Sequence, residues 1–299
     1  MSAPPVFEGV PRELGFAQGR ASARAVRAAC GPRGGLSGAL DRLGLIDARG
    51  RSWLRDVRRH FPHQAEWLEG AARGAGVPLP ALVRAAAAAL AAPPSPIVAF
   101  EGSGGVRLAC AAHPDAQLRR VAPEGRFRSL ELALPLLPSP QLGVNEAGLA
   151  VAATSGVQRD SRCAAPAALL ARDCLERFDS VASALAWCLG RPAAPGAALL
   201  FADERGDVAG VELGADGRRV RRPEGGALAL GGDAQAALAV SKRLAQGAPP
   251  DERALAELLG ARSGACCSAD PHGRRLAHGH AWILLDSSLT GAARGGSSG

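Results

Sequence analysis

The clearest indication of fold in this 299-residue chain is the segment Leu142-Gly143-Val144-Asn145-Glu146-Ala147-Gly148-Leu149. Apolar residues lie at both of its ends, and a polar segment with a glycine lies between them. Asn and Gly favour tight turns because they tolerate backbone conformations that other residues avoid. The stretch therefore predicts two short strands, Leu142–Val144 and Gly148–Ala153, joined by a turn.

Further strand candidates lie on both sides of this stretch. Short apolar runs separated by turn residues are typical of β-hairpins. The hairpin candidates are Ile97–Phe100 with Val106–Ala112, across Gly102–Gly105, and Ala198–Ala202 with Val208–Leu213, across Asp203–Gly206. Leu130–Leu134 and a final strand, Ala281–Leu285, complete the set.

Helical patterns lie before and between the strands. Residues 1–92 are mainly helical by pattern, with Trp53, Val57 and Phe61 at helical spacing and a third helix at Leu79–Ala91. Helical periodicity returns at residues 166–189 and 251–259. Helices first, and then hairpins separated by helices, predict an α+β fold with largely antiparallel sheets covered by helices. The Gly/Ser-rich tail, residues 291–299, is predicted to be disordered.

Composition excludes several classes of protein. No run of about 18 uncharged apolar residues is present, so no membrane span is predicted. The N-terminus lacks a secretory pattern, and seven cysteines are an odd number, so we expect free thiols and a cytoplasmic location. The net charge is +7, but the basic residues are spread along the chain and only 4% of residues are aromatic. Nucleic-acid binding is therefore not predicted.

Four stretches together resemble one family. Gly9–Gly19, Phe61–Val77, Leu142–Leu149 and Leu199–Glu212 are similar, in this order, to segments of the acyl-coenzyme A:6-aminopenicillanate acyltransferase family. The resemblance implies the N-terminal-nucleophile hydrolase fold, a four-layer αββα sandwich with an N-terminal helical segment. It divides the chain into a helical segment at residues 1–95, a hydrolase-like core at 96–290 and the tail at 291–299.

The resemblance also implies a chemistry. In this family an internal Gly-Cys bond cleaves itself, and the new N-terminal cysteine supplies both the thiolate nucleophile and an amine that acts as its base. Ile97 stands at the nucleophile position here, and Pro96 precedes it. Isoleucine has no acidic proton and no lone pair, so this position cannot attack a carbonyl carbon.

Other family positions have changed as well. Gly232, in Gly231-Gly232-Asp233, stands where the resemblance places the oxyanion asparagine, and a late Ile-Cys-Arg-His element survives only as residues 265–268. Asp115 and Asn145 remain. The resemblance therefore implies an amidohydrolase or acyltransferase of linear amide bonds that is now catalytically inactive. Its pocket is expected to bind a small acyl-amide or peptide-like ligand.

Two alternatives stay open. In the first, the chain is an active amidohydrolase or acyltransferase with a displaced nucleophile, either Ser95 or Cys110. Cys110 lies in an apolar run, where a buried thiol is the default interpretation. In the second, the chain is a non-enzymatic binding protein. Asp115 also has a plain structural interpretation, because aspartate commonly satisfies the backbone of a turn.

A metal or other cofactor is not predicted. The most metal-like group of residues lies near the C-terminus, but its adjacent cysteines lack the usual spacing of two to four residues between zinc-binding cysteines. The group consists of Cys266, Cys267, His272, His278 and His280.

Overall fold

The computed structural model describes most of the chain. The described residues are 4–31, 48–91, 96–102, 105–155, 163, 165–232, 239–240 and 242–244, with the backbone of 264–268, 274–278 and 281–285. The predicted helix at 251–259 and the tail at 291–299 lie outside the described residues, as do His272 and His280. No helix in the described part of the chain is long and apolar enough to cross a membrane.

The described residues form seven helices. Proline at the first or second position begins three of them, since a proline there loses no helical hydrogen bond. The helices are α1 Pro11–Ala21, α2 Ala23–Cys30, α3 Ala48–His60, α4 Pro62–Ala75, α5 Leu79–Leu90, α6 Leu169–Arg177 and α7 Val181–Gly190.

The described strands form two sheets. In chain order they are β1 Val6–Gly9, β2 Ile97–Gly102, β3 Gly105–Ala111, β4 Gln117–Pro123, β5 Ser129–Ala133, β6 Pro140–Asn145, β7 Ala150–Ser155, β8 Ala197–Ala202, β9 Val208–Gly214, β10 Gly217–Arg221, β11 Ala227–Leu230, β12 Gly264–Ser268, β13 Arg274–His278 and β14 Ala281–Leu285. The eight-stranded sheet has the order β1-β4-β5-β6-β7-β8-β9-β10, and the six-stranded sheet has the order β11-β2-β3-β12-β13-β14.

Packing between these elements produces four layers. Leu142 and Val144 of β6 point into an apolar core between the two sheets, which also contains Leu108 of β3. On the other face of the eight-stranded sheet, a larger core joins it to the helices. Val240 and Leu244 lie in helical turns on the outer face of the six-stranded sheet. The α+β fold with stacked sheets between helices, predicted from the sequence, is confirmed.

The N-terminal segment contributes a strand to the eight-stranded sheet, and the sequence pattern did not predict this strand. Val6–Gly9 pairs in parallel with β4, so the segment contributes the edge of the eight-stranded sheet. Phe7 packs there with Leu14, Trp67 and Val121. The division of the chain at residue 95 stays a prediction.

Helices α1 and α4 cross with their backbones in contact. Glycines spaced by four residues lie on one face of each helix, Gly15 and Gly19 on α1 and Gly70 and Gly74 on α4. A Cβ at Gly15 would fall on the carbonyl oxygen of Trp67, and the other three glycines are equally close to the opposite backbone. Only glycine therefore fits this crossing, which explains why both stretches are rich in it.

Candidate functional site

Ile97 begins β2, as the sequence predicted for the strand. It pairs with Cys110 of β3 on one side and with Leu230 of β11 on the other. Its side chain is 1% exposed and belongs to the core between the sheets. The nucleophile position implied by the resemblance thus carries a buried hydrocarbon side chain. Ser95, the first alternative nucleophile, lies outside the described residues.

Cys110, the second alternative nucleophile, lies directly opposite Ile97. Side chains at directly opposed positions of antiparallel strands are about 5 Å apart at Cβ. Cys110 is only 3% exposed and faces the same apolar core. Its thiol is therefore close to the family nucleophile position, but it has little contact with solvent.

The two glycines after β11 lie at the same end of β2 as Ile97. Because β11 runs antiparallel to β2 and Leu230 is paired with Ile97, Gly231 and Gly232 continue past the head of β2. Both have positive φ, 76° and 70°, a conformation that glycine adopts readily. This turn brings no side-chain donor to the head of β2, while Asp233 lies outside the described residues.

Asp115 lies in the turn after β3, and its side chain is 79% exposed. Its backbone N–H donates to His113 Nδ1 at 3.1 Å, and the backbone N–H of His113 donates to Gln141 Oε1 at 3.3 Å. These contacts account for the turn. The Asp115 carboxylate lies 3.9 Å from His113 Nδ1, at the surface and not in the core that holds Ile97.

Asn145 ends β6 and is completely buried. Its Nδ2 group donates to the carbonyl oxygens of Leu175 at 2.9 Å and Phe178 at 2.8 Å, and its Oδ1 accepts from the Leu149 N–H at 2.9 Å. The amide therefore ties the turn between β6 and β7 to the C-terminal end of α6. Both donor hydrogens are used in these contacts.

The eight-stranded sheet separates Asn145 from Ile97. Along β6 the side chains alternate: Leu142 and Val144 face the six-stranded sheet, whereas Gly143 lies against Leu175 of α6 and Asn145 faces the same helix. Ile97 belongs to the core on the other side. Of the predicted site positions, the structure brings together Ile97, Cys110 and Gly232, and places Asn145 and Asp115 elsewhere.

An open cleft of about 370 Å³ lies at the hairpin end of β2. Its volume is within the range of small-molecule sites. Apolar groups and two opposite charges line it, namely Ala99, Phe100, Val106, Gly206, Asp207, Val208, Arg222, Pro223 and Gly226. Phe100 lies three residues from Ile97, about 10 Å along the strand.

A buried ionic cluster under the helices was not predicted from the sequence. Glu131 of β5 lies 2.9 Å from Arg119 Nε and 2.7 Å from Arg172 Nη1, and all three side chains are at most 4% exposed. Trp67 stacks with both guanidinium groups, whose central carbons lie 5.5 and 4.5 Å from the ring centroid. Desolvation lowers the pKa of Arg119 to about 10, so the group stays charged at neutral pH.

A second polar group lies beside this ionic cluster. His63 Nε2 is 2.8 Å from Asp173 Oδ1, and Asp173 also accepts hydrogen bonds from Gln64 at 2.9 Å and Trp187 at 3.1 Å. Burial raises the pKa of Glu176, while the nearby Arg172 opposes that shift. In the part of the chain with described side chains, no group of three or more His, Cys, Asp and Glu residues could hold a metal ion.

Comparison with known proteins finds a family to which the central segment is similar. Residues 118–229 match the model of the family described as acyl-coenzyme A:6-aminopenicillanic acid acyl-transferase. The resemblance predicted from the sequence is thereby confirmed. No curated protein matches the sequence.

Several solved structures are distantly similar. Conjugated bile acid hydrolase from Clostridium perfringens is 12% identical with a TM-score of 0.46, over 65% of this chain and 93% of its own. Penicillin V acylase from Agrobacterium tumefaciens is 14% identical with a TM-score of 0.45, over 64% and 86%. The Caenorhabditis elegans ortholog of N-acylethanolamine-hydrolyzing acid amidase is 12% identical with a TM-score of 0.43, over 58% and 93%.

Proposed function

We propose that this chain, a relative of the acyl-coenzyme A:6-aminopenicillanic acid acyl-transferase family through residues 118–229, no longer cleaves amide bonds and instead binds a small acyl-amide or peptide-like ligand. The observation that carries this proposal is Ile97. The position at the head of β2 holds a hydrocarbon side chain that is 1% exposed and paired with a neighbouring strand on both sides.

Two further observations support the loss of catalysis. An oxyanion needs preorganised donors, and removing one such donor typically costs about 3 kcal/mol of transition-state stabilisation. Gly231 and Gly232 bring no side chain to the head of β2. The amide of Asn145, the remaining family asparagine, is engaged by Leu175 and Phe178 on the other side of the sheet.

The cleft at the hairpin end of β2 supports the ligand-binding part of the proposal. Val106 and Val208, both half-buried, offer apolar surface to an acyl chain. Arg222, in the same lining, makes no hydrogen bond or ion pair with any described residue, so its guanidinium group is available to a carboxylate. An N-acyl amino acid combines an apolar chain, an amide and a carboxylate, and it therefore fits this lining.

Catalysis is tested with the intact protein. We expect a single species of 30.4 kDa by mass spectrometry, because Ile97 offers no thiol for self-cleavage. We also expect no turnover of a chromogenic linear amide. The variant Pro96→Gly/Ile97→Cys restores a Gly-Cys pair, and we expect it to remain uncleaved because the other positions are lost. Cleavage of the wild-type chain near residue 96, or amide turnover, contradicts the proposal.

Binding is tested separately by calorimetric titration with an N-acylglycine. We expect Arg222→Gln to weaken binding at least fivefold, because the carboxylate loses its partner. Arg219→Gln is the matched control, since Arg219 is an exposed arginine of β10 outside the cleft lining. Equal effects of the two substitutions, or no binding by the wild-type protein, rule out the cleft as this site.

A second candidate function is an active amidase that uses Cys110. The pairing of Cys110 with Ile97 favours it over other thiols, because it places the thiol next to the lost nucleophile. This candidate requires stoichiometric labelling by a thiol-directed activity probe, abolished by Cys110→Ala and retained by Cys30→Ala. Ser95, the other alternative, requires labelling by a serine-directed probe that Ser95→Ala abolishes.

A further inference from the structure

Two buried thiols are in contact between helices α6 and α7. Cys174 Sγ lies 3.6 Å from Cys188 Sγ, and both side chains are completely buried. The sulfur of Cys174 also lies 4.0 Å from the carbonyl oxygen of Ala184, one turn before Cys188 on the same helix. Disulfide sulfurs are about 2.05 Å apart, so the two sulfurs need to approach by about 1.5 Å to form a bond.

Neighbouring side chains fix the alignment of these helices. Trp187, which precedes Cys188, donates from Nε1 to Asp173, which precedes Cys174. The Trp187 ring also packs against Phe178, with centroids 5.8 Å apart. At the start of α7, the Val181 N–H donates to Asp203 Oδ2 at 3.0 Å and anchors that helix to the turn after β8. The contact between the thiols is therefore part of a defined packing arrangement.

We propose that Cys174 and Cys188 form a reversible disulfide that joins α6 to α7. A small disulfide such as oxidised glutathione serves as the oxidant. One cysteine thiolate attacks it, forms a mixed disulfide and releases one glutathione thiolate, which takes up the proton. The second cysteine then attacks the mixed disulfide and releases the second glutathione. Two protein thiols are oxidised, and one glutathione disulfide is reduced to two thiols.

The setting of the pair determines when this reaction takes place. Burial raises the pKa of the Cys174 thiol, which disfavours the reactive thiolate while the helices are packed. The disulfide therefore forms during folding or when α7 opens. Reduction of the disulfide requires the same opening, because neither sulfur is exposed to solvent while the helices are packed.

The disulfide would link α6 covalently to α7 in the helical layer. It closes a loop of about 15 residues, a size for which a disulfide restricts the unfolded chain appreciably. The carbonyl groups of Leu175 and Phe178, which lie within this loop, accept hydrogen bonds from the side chain of Asn145. Oxidation therefore stabilises the helix pair that anchors the turn between β6 and β7.

The test compares two refolded samples of the full chain. One sample is refolded with oxidised and reduced glutathione and the other with excess reductant, and the remaining thiols are then alkylated. We expect a peptide that joins Cys174 to Cys188 in the oxidised sample only, with Cys30 alkylated in both samples. We also expect the oxidised protein to unfold at a temperature about 5 °C higher.

Variants separate this bond from other thiol chemistry. Cys188→Ala should remove the temperature difference, whereas Cys30→Ala should keep it. Alkylation of both Cys174 and Cys188 after oxidative refolding overturns the proposal, as does pairing of either residue with a different cysteine. If Cys188→Ala does not fold, the peptide map of the wild-type protein alone tests whether Cys174 is joined to Cys188.

Discussion

Asn145 donates a side-chain hydrogen bond to the carbonyl oxygen of Leu175 at 2.9 Å, across the interface between the eight-stranded sheet and α6. Its other amide hydrogen goes to Phe178, and its oxygen accepts from Leu149. A residue that the family resemblance assigns to the site therefore also has a structural role. Buried polar groups are costly to leave unpaired, so this role has a measurable consequence.

We expect Asn145→Ala to lower the free energy of unfolding by about 2–4 kcal/mol, because three backbone groups, two of them buried, lose their hydrogen bonds to this side chain. Asn145→Asp should be at least as damaging, since a carboxylate would face the carbonyl oxygens of Leu175 and Phe178. Urea denaturation measures both variants. Unchanged stability in Asn145→Ala would show that these hydrogen bonds do not hold the turn.

Removing Glu131 should be more damaging than removing a carboxylate at the surface. Glu131→Gln removes the carboxylate partner of the buried Arg119 and leaves Arg172 only the more distant Glu176, at 3.6 Å. Breaking a buried ion pair typically costs about 3–5 kcal/mol. Glu69, which pairs with the exposed Arg12 at 2.8 Å, is the matched control. Glu69→Gln should cost at most about 1 kcal/mol.

The measurement for this pair of variants is chemical denaturation under identical conditions. Similar losses in Glu131→Gln and Glu69→Gln would mean that the buried cluster contributes no more than an exposed pair. A low-salt and high-salt comparison adds a second readout, because salt screens the exposed pair more than the buried one.

Because α1 and α4 cross with their backbones in contact, we expect the stability of the protein to fall when a single methyl group is added at a glycine of this crossing. Gly15→Ala would place Cβ against the backbone carbonyl of Trp67, and a backbone atom cannot move aside as a side chain can. We expect a loss of about 1–3 kcal/mol, the usual range for overpacking. Gly190→Ala, where a Cβ meets nothing within 4 Å, should be neutral or slightly stabilising. Thermal unfolding of both variants tests the difference.

Local sequence patterns predicted the elements whose ends are marked by proline or glycine. The hairpin of β2 and β3, the helix from Leu79 to Leu90 and the strand Ala281–Leu285 follow from apolar runs bounded by such residues. These patterns depend on nearby residues alone. They also placed Ile97 correctly at the head of a buried strand.

Elements that depend on distant partners were not predictable in this way. Val6–Gly9 is a strand because β4, more than 100 residues later, pairs with it. Strand β4 contains two arginines in succession, and Arg119 is buried only because Glu131 and Leu137 satisfy its donors. The contacts of Asn145 could not be predicted for the same reason. Its partners Leu175 and Phe178 lie far from the turn in the sequence, so the local pattern around Asn145 does not indicate them.

The buried Glu176 should make the free energy of unfolding depend on pH. Burial raises the pKa of Glu176 in the folded state above its ordinary value of 4.5. Between pH 4.5 and the pKa of the folded state, the folded protein therefore binds more protons than the unfolded chain. The free energy of unfolding contributed by this residue therefore falls as the pH rises through that window. Glu176→Gln cannot titrate and should lack this contribution.

We expect the difference in stability between Glu176→Gln and the wild-type protein to shift in favour of the variant as the pH rises above 4.5. Urea denaturation at closely spaced pH values from 4 to 8 measures this difference. Asp115, exposed at the surface, provides the control variant Asp115→Asn. A constant difference across the series, or a shift in favour of the wild-type protein, would mean that Glu176 does not retain its proton in the folded state.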